Sequence, residues 1–234
     1  MFQVRKSQER GFFNHGWLKS YHTFSFSEYY DPNFMGYGAL RVINEDFVDP
    51  LNGFPNHGHR EMEIITYPIQ GVIEHKDSTG TSGIIHQYEI QKMTAGTGIT
   101  HSEKNPHKNE ILHLLQIWIL PKESNLKPSY EQKSFKQEIL SLRPTLLLSP
   151  LGEANSLKIN QDLYLWAHKF SADQVWNIQS NTERKIWIQI VKGEILCLQN
   201  NSLLKTGDGL AISNESLITL TAQNEAEILL FDMA

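Results

Sequence analysis

At 234 residues, 40% hydrophobic and 20% charged, the chain has apolar material for one large or two small globular domains, which excludes a disordered polymer. A formal net charge of −5 with no long run of lysine or arginine argues against a nucleic-acid partner. No apolar stretch is long enough to span a bilayer, MFQVRKSQERGFFNHGW lacks a signal-peptide pattern, and the lone Cys197 has no internal disulfide partner; a cytoplasmic protein without membrane association is expected.

Short β-branched and aromatic segments then recur between turn signals, over Ala39 to Asn44, Met62 to Tyr67, Gly71 to Asp77, Ile84 to Gln91 and Ile111 to Leu120. After them Lys133 to Leu142 reads as one brief helix. Further strands are expected over Lys185 to Val191, Ile195 to Gln199, Leu217 to Thr221 and Glu227 to Phe231. Many strands at close spacing with one minor helix predict an all-β sandwich or barrel. Prolines, serines and charges gather between Pro121 and Asn155, the composition of a connection, and place a boundary near residue 135. The two domains expected are 1–135 and 136–234. The segment EIITYPIQGVIEH of the N-terminal domain and KIWIQIVKGEILCLQ of the C-terminal one share a strand–turn–strand pattern, as copies of one module would.

The copies differ in chemistry. His15, His22, His57, His59, His75, His86, His101, His107 and His113 precede the linker, and only His168 follows it. In FPNHGHREME, His57 and His59 stand at i and i+2, so an extended backbone points both to one face. MTAGTGITHSEKN repeats that spacing with His101 and Glu103 after a Gly-rich turn. Together the pairs offer three imidazoles and one carboxylate to a divalent transition metal, and these donor types suit Fe, Ni, Cu, Zn or Mn without choosing among them. A lone His-x-His arises by chance, and it is the other pair that lifts the first above background. His75 and His86 sit in alternating polar strands, where an outward face explains them. His107 falls in a loop, and His113, in ILHLLQIWI, reads as packing.

YHTFSFSEYYDPNFMGYGALRVINEDFV, HGHREMEIITYPIQGVIEHKDSTG, MTAGTGITHSEKN and LHLLQIWI together resemble the pirin family, a branch of the cupin superfamily. The likeness runs from near Arg5 to about Tyr130 and continues more loosely through WIQIVKG and DGLAIS. It implies a bicupin of two stacked jelly-roll-type β-barrels, with one divalent metal in the N-terminal barrel and a C-terminal barrel lacking ligands. Fe(II) is the first expectation for the metal, with Ni, Cu, Mn, Co or Zn as alternatives. The family's ligand positions fall on His57, His59, His101 and Glu103. Ordinary cupins would put the carboxylate at Glu63, which is therefore a rival ligand or a support. Gly58 stands where many relatives have proline, and Pro68 interrupts a ladder and forces an edge or a bulge.

The resemblance further implies quercetin 2,3-dioxygenase activity, in which O2 opens the heterocycle of a flavonol and CO is released, with Glu103 as the base. Phe47 and Phe54 are candidates to pack against the planar substrate. The alternative is a non-enzymatic, metal-dependent or redox-sensing regulator with a protein partner. Two barrels supply core enough for a monomer.

Overall fold

The computed structural model describes residues 1–234, and the chain divides into two compact units. One comprises Gly11–Lys136; the other joins Met1–Arg10 to Gln137–Ala234. The first ten residues therefore do not belong to the N-terminal barrel. Strand β1 (Phe2–Arg5) pairs antiparallel with a strand near residue 210, Phe2 opposite Ile212 and Arg5 opposite Gly209. That pairing closes across some two hundred residues, and no local pattern announces it.

The unit Gly11–Lys136 contains β2 (Gly11–Asn14), β3 (Leu18–His22), β4 (Leu40–Val48), β5 (Gly53–His59), β6 (Glu63–Gln70), β7 (Val72–Asp77), β8 (Ser82–His86), β9 (Glu89–Thr94), β10 (Ile99–Lys104), β11 (Leu112–Ile119) and β12 (Ser129–Ser134). They form a seven-stranded sheet, β12-β9-β6-β11-β4-β3-β2, and a four-stranded sheet, β5-β10-β7-β8. Helix α1 (Lys136–Leu140) lies within the expected helical segment but is shorter, because its first residues serve as β12. The single strand expected over Ile84 to Gln91 is two strands, β8 and β9. Tyr88 adopts φ 67° in the turn between them.

The other unit contains β13 (Thr145–Ser149), β14 (Leu157–Lys158), β15 (Leu163–Phe170), β16 (Val175–Gln179), β17 (Lys185–Lys192), β18 (Glu194–Cys197), β19 (Ser202–Lys205), β20 (Gly209–Ser213), β21 (Leu217–Ala222) and β22 (Ala226–Met233). Its sheets repeat the seven-plus-four plan, β1-β20-β17-β22-β15-β13-β14 and β16-β21-β18-β19. The all-β bicupin expectation holds at this level. No helix is long and apolar enough to cross a membrane.

Apolar residues dominate the C-terminal unit's interior: Ile188, Ile190, Leu210, Ile212, Leu220, Ile228 and Leu230 belong to one buried cluster. In the N-terminal unit Leu18, Val48, Ile73, Ile85, Leu112 and Leu114 form one apolar cluster and Ile64, Met93, Ala95 and Ile99 another. Pro68 sits where its missing N–H costs least. β6 pairs with β9 only from Glu63 to Thr66, and the β6–β11 ladder shifts register beside Pro68, which is the bulge its presence predicts.

Candidate metal centre

The two histidine pairs meet across one ladder of the four-stranded sheet. Strands β5 and β10 run antiparallel with His57 opposite His101 and His59 opposite Ile99. Between His101 and Glu103 the register slips, so that Glu103 faces Phe54 rather than Pro55. The extra residue falls in the Pro55–Asn56 segment of β5, and proline tolerates such a bulge because it has no N–H to leave unpaired. Gly58 stays within the ladder opposite Thr100, and a Cβ there would make only ordinary contacts, 3.7 Å from Thr100 Cγ2.

Three imidazole nitrogens converge as a result. His101 Nε2 lies 2.9 Å from His59 Nε2 and 3.1 Å from His57 Nε2. His57 Nδ1 is 2.8 Å from the Pro55 carbonyl oxygen, which can only accept, so Nδ1 carries the proton and Nε2 presents a lone pair. Burial, and then the neighbouring imidazoles, hold His59 at about 4 and His101 at about 3, so neither is charged at neutral pH. Lone pairs gathered about 3 Å apart suit a divalent cation, whose imidazole ligands lie roughly 2.0–2.1 Å from it. The donor set thus fits a transition metal.

Glu103 is fully buried on the same face of β10 as His101. Its ligand atom groups with His101 and His75, whereas His57 and His59 group with His101. Thr66 Oγ1 donates to Glu103 Oε1 at 3.2 Å, and Gln116 Nε2 donates to Oε2. Burial, opposed by Thr66 and reinforced by Asp46, brings the carboxyl up to about 7.

Glu63 is placed elsewhere. Ile64 lines the cavity and Thr66 reaches Glu103, so Glu63 points from the opposite face of β6, where its Oε2 lies 3.9 Å from Lys92 Nζ. The alternation that would give Glu63 the parity of the histidines is interrupted at Glu61, in a left-handed turn with φ 50°. Phe54 lines the cavity; Phe47 does not. On β4, Asn44 and Asp46 face inward, which turns Glu45 and Phe47 the other way, and there Phe47 stacks on His113 at 4.0 Å while His113 Nε2 meets Glu45 Oε1 at 2.9 Å. His113 is thus packing, as expected. His75 is not outward: it is fully buried, 3.0 Å from Asp77 Oδ2 through Nε2 and 3.5 Å from His101 Nδ1 through its own Nδ1. His86 is exposed.

The centre opens into a cavity of about 220 Å³. Its floor follows one rung of the seven-stranded sheet, on which His22, Asn44, Gln116 and Thr66 stand side by side across β3, β4, β11 and β6. His22 Nδ1, Asn44 Oδ1 and Gln116 Oε1 are buried there without a hydrogen-bond partner. Such atoms are costly unless a ligand or water satisfies them. Asp46 receives the Ser20 hydroxyl on the next rung, and burial raises it to about 7. Phe13, Phe26, Phe54 and Trp118 contribute aromatic walls, Trp118 meeting both Phe26 and His59 edge-on at 5.2 and 4.9 Å. Sequence reading missed the polar rung. Its signal is a polar residue set against apolar neighbours, Asn44 after VI, Thr66 in IITY and Gln116 in LLQIW.

The chain is similar to known proteins along its whole length. The family described as Pirin matches residues 2–119, and the quercetinase C-terminal cupin domain matches residues 146–233. A protein of Escherichia coli K12 named quercetin 2,3-dioxygenase is 47% identical over all of this chain and 99% of its own length. A pirin-like protein of Caulobacter vibrioides is 38% identical, with 94% of each chain covered. The crystal structure of the bacterial pirin YhhW of E. coli in complex with nickel(II) matches with a TM-score of 0.94 at 47% identity, covering 100% of this chain and 99% of that one.

Proposed function

The chain belongs to the pirin family, and from that premise we propose that it is a metal-dependent dioxygenase that opens the heterocycle of a flavonol with O2 and releases CO. The observation that carries the reading is the convergence of three imidazole nitrogens about 3 Å apart beside a fully buried glutamate. His57, His59 and His101 would hold one divalent metal, with Glu103 as the carboxylate on the same face. When bound, the metal supplies Lewis acidity, which lowers the pKa of a hydroxyl it contacts.

The remaining work falls to this chain's side chains. Glu103 takes the proton from the flavonol hydroxyl nearest the centre, held for that role by Thr66 and Gln116. The partnerless atoms of Asn44 and Gln116 accept hydrogen bonds from further hydroxyls, which supports a polyhydroxylated substrate over a purely apolar one. Phe13, Phe26, Phe54 and Trp118 flank a planar ring system and keep water from it. Nickel in the E. coli relative supports a divalent ion; the first expectation, Fe(II), stays a proposal alongside it.

The test is turnover. Protein freed of metal is loaded anaerobically with Fe(II), Ni(II), Mn(II), Co(II), Cu(II) or Zn(II), mixed with quercetin, and exposed to O2. Loss of the flavonol absorbance with stoichiometric CO is expected for at least one ion. Fully occupied protein that consumes no quercetin with any of them would defeat the reading.

A further inference from the structure

Behind the converging nitrogens, the far side of His101 meets another pair of residues. β7 runs antiparallel to β10 with Asp77 opposite His101 and His75 opposite Glu103, so two i, i+2 pairs interlock. His101 Nδ1 lies 3.5 Å from His75 Nδ1, and His75 Nε2 lies 3.0 Å from Asp77 Oδ2. Neither the His75 nor the Asp77 side chain has any exposed area.

We propose that Asp77 and His75 are positioning residues that fix which nitrogen of His101 carries its proton, and thereby keep His101 Nε2 free to bind a divalent cation. The inference rests on reading His101 as a ligand; it is independent of the flavonol. Its logic is one of hydrogen-bond polarity. An ionised carboxylate only accepts, so Asp77 requires the proton of His75 on Nε2. His75 Nδ1 is then an acceptor, and the group it faces, His101 Nδ1, must donate. With its proton on Nδ1, His101 leaves the Nε2 lone pair toward His57 and His59. The arrangement lengthens by one imidazole the carboxylate–histidine pairing that orients metal ligands in general.

The far oxygen of Asp77 fixes the direction of the relay. Asp77 Oδ1 accepts from the Thr79 backbone N–H at 2.8 Å, from the Thr79 hydroxyl at 2.5 Å and from the Thr81 backbone N–H at 3.3 Å. An asparagine at 77 would have to keep its oxygen toward those donors and turn its NH2 toward His75. The NH2 would donate to His75 Nε2, shift the His75 proton to Nδ1, and force the His101 proton onto Nε2, into the metal position. Asp77→Asn is therefore nearly isosteric yet reverses every bond in the chain. The other grouping of donors here, His75, His101 and Glu103, does not suit a second ion, because the relay commits both ring nitrogens of His75.

The experiment measures Ni(II) affinity by chelator competition. Asp77→Asn is expected to weaken binding about 10- to 100-fold. His75→Ala is expected to weaken it comparably, and His75→Asn, whose side-chain oxygen can replace the Nδ1 acceptor, to recover part of the loss. Thr79→Ala loosens the turn without reversing polarity and is expected to stay within about twofold of wild type. Nitrogen-15 NMR of the Zn(II)-loaded protein should find the His75 proton on Nε2 and the His101 proton on Nδ1. Asp77→Asn binding nickel as tightly as wild type, or a wild-type His75 proton on Nδ1, would overturn the relay. Retention of nickel by His101→Ala would instead overturn the metal centre itself, and the relay with it.

Discussion

Two mid-strand glutamines, one in each unit, have their hydrogen-bonding needs met in different ways. In the C-terminal unit Gln189 of β17 is buried, and its needs are met from within: Nε2 donates to the carbonyls of Gly207 and Asp208 at 3.2 Å each, and Oε1 accepts from Trp187 Nε1 at 3.4 Å. In the N-terminal unit Gln116 of β11 donates to Glu103, and its Oε1 has no partner. A buried polar group that the protein satisfies itself is a structural device; one left open at a cavity anticipates something from outside. Gln189 stands on the face of β17 opposite Ile188 and Ile190, so the same plan of sheets encloses an apolar cluster in one unit and a cavity with open polar atoms in the other.

Metal content should separate the barrels most sharply. His101→Ala, purified without chelator, is expected to lose its metal, whereas His168→Ala in the C-terminal barrel should keep the wild-type amount by elemental analysis. His168 stacks on Phe170 at 3.9 Å with no second imidazole in range to complete a site. Equal metal loss in both variants would dissolve the distinction. Within the N-terminal barrel, Glu103→Gln should retain most of the metal on three imidazoles yet lose flavonol turnover by about 10²- to 10⁴-fold, the usual worth of a positioned base. Glu63→Gln should alter metal content little, since Glu63 faces Lys92 and not the cavity; loss of metal there would restore it as the ligand.

The histidine pairs were legible because spacing at i and i+2 survives any rotation of a strand, and the strands carrying apolar alternation were legible for the same reason. What escaped depends on partners distant in sequence. β1 finds its place only against β20, and VIEHKD has the pattern of an exposed alternating strand until β10 is laid beside it and His75 closes on His101. Glu63, the rival ligand, misses the cavity because the left-handed Glu61 breaks the alternation between it and the histidine pair. For Phe47 the expectation of an inward ring lost to Asn44 and Asp46, whose inward direction fixes β4. The polar rung was present in the sequence as isolated residues, but their alignment is a property of register.

Folding stability should sort the mid-strand polar residues next. Gln189→Leu removes the hydrogen bonds to Trp187 Nε1 and to the Gly207 and Asp208 carbonyls and is expected to cost about 1–3 kcal/mol in denaturant unfolding, with metal content and turnover unchanged. Asn44→Leu removes an acceptor that has no partner, so its unfolding midpoint should match or exceed wild type while KM for quercetin rises. If the costs were reversed, the open rung would be structural after all.

The smallest effect concerns pH, where Asp46 of one barrel and His168 of the other act with opposite sign. Burial, against the Ser20 hydrogen bond and with Glu45, raises Asp46 from 3.8 to about 7. Between those values the folded chain holds a proton that the unfolded chain has released, so the Asp46 contribution is full below about 4 and is lost as pH rises through about 7. His168 runs the other way. Burial lowers it from 6.5 to about 4, against the backbone of Leu142, so its contribution is full above about 6.5 and is lost as pH falls through about 4. In metal-free protein, Asp46→Asn should flatten the decline of stability between about pH 5 and 7, and His168→Phe should flatten its decline on the acid side. Glu103, raised in the same direction as Asp46, leaves a residual slope in Asp46→Asn, and the double variant with Glu103→Gln should flatten it further, to what the half-buried Asp232 contributes. Denaturant midpoints across pH 4 to 8 read both effects, and an unaltered profile in Asp46→Asn would mean that this carboxyl is already ionised in the folded cavity.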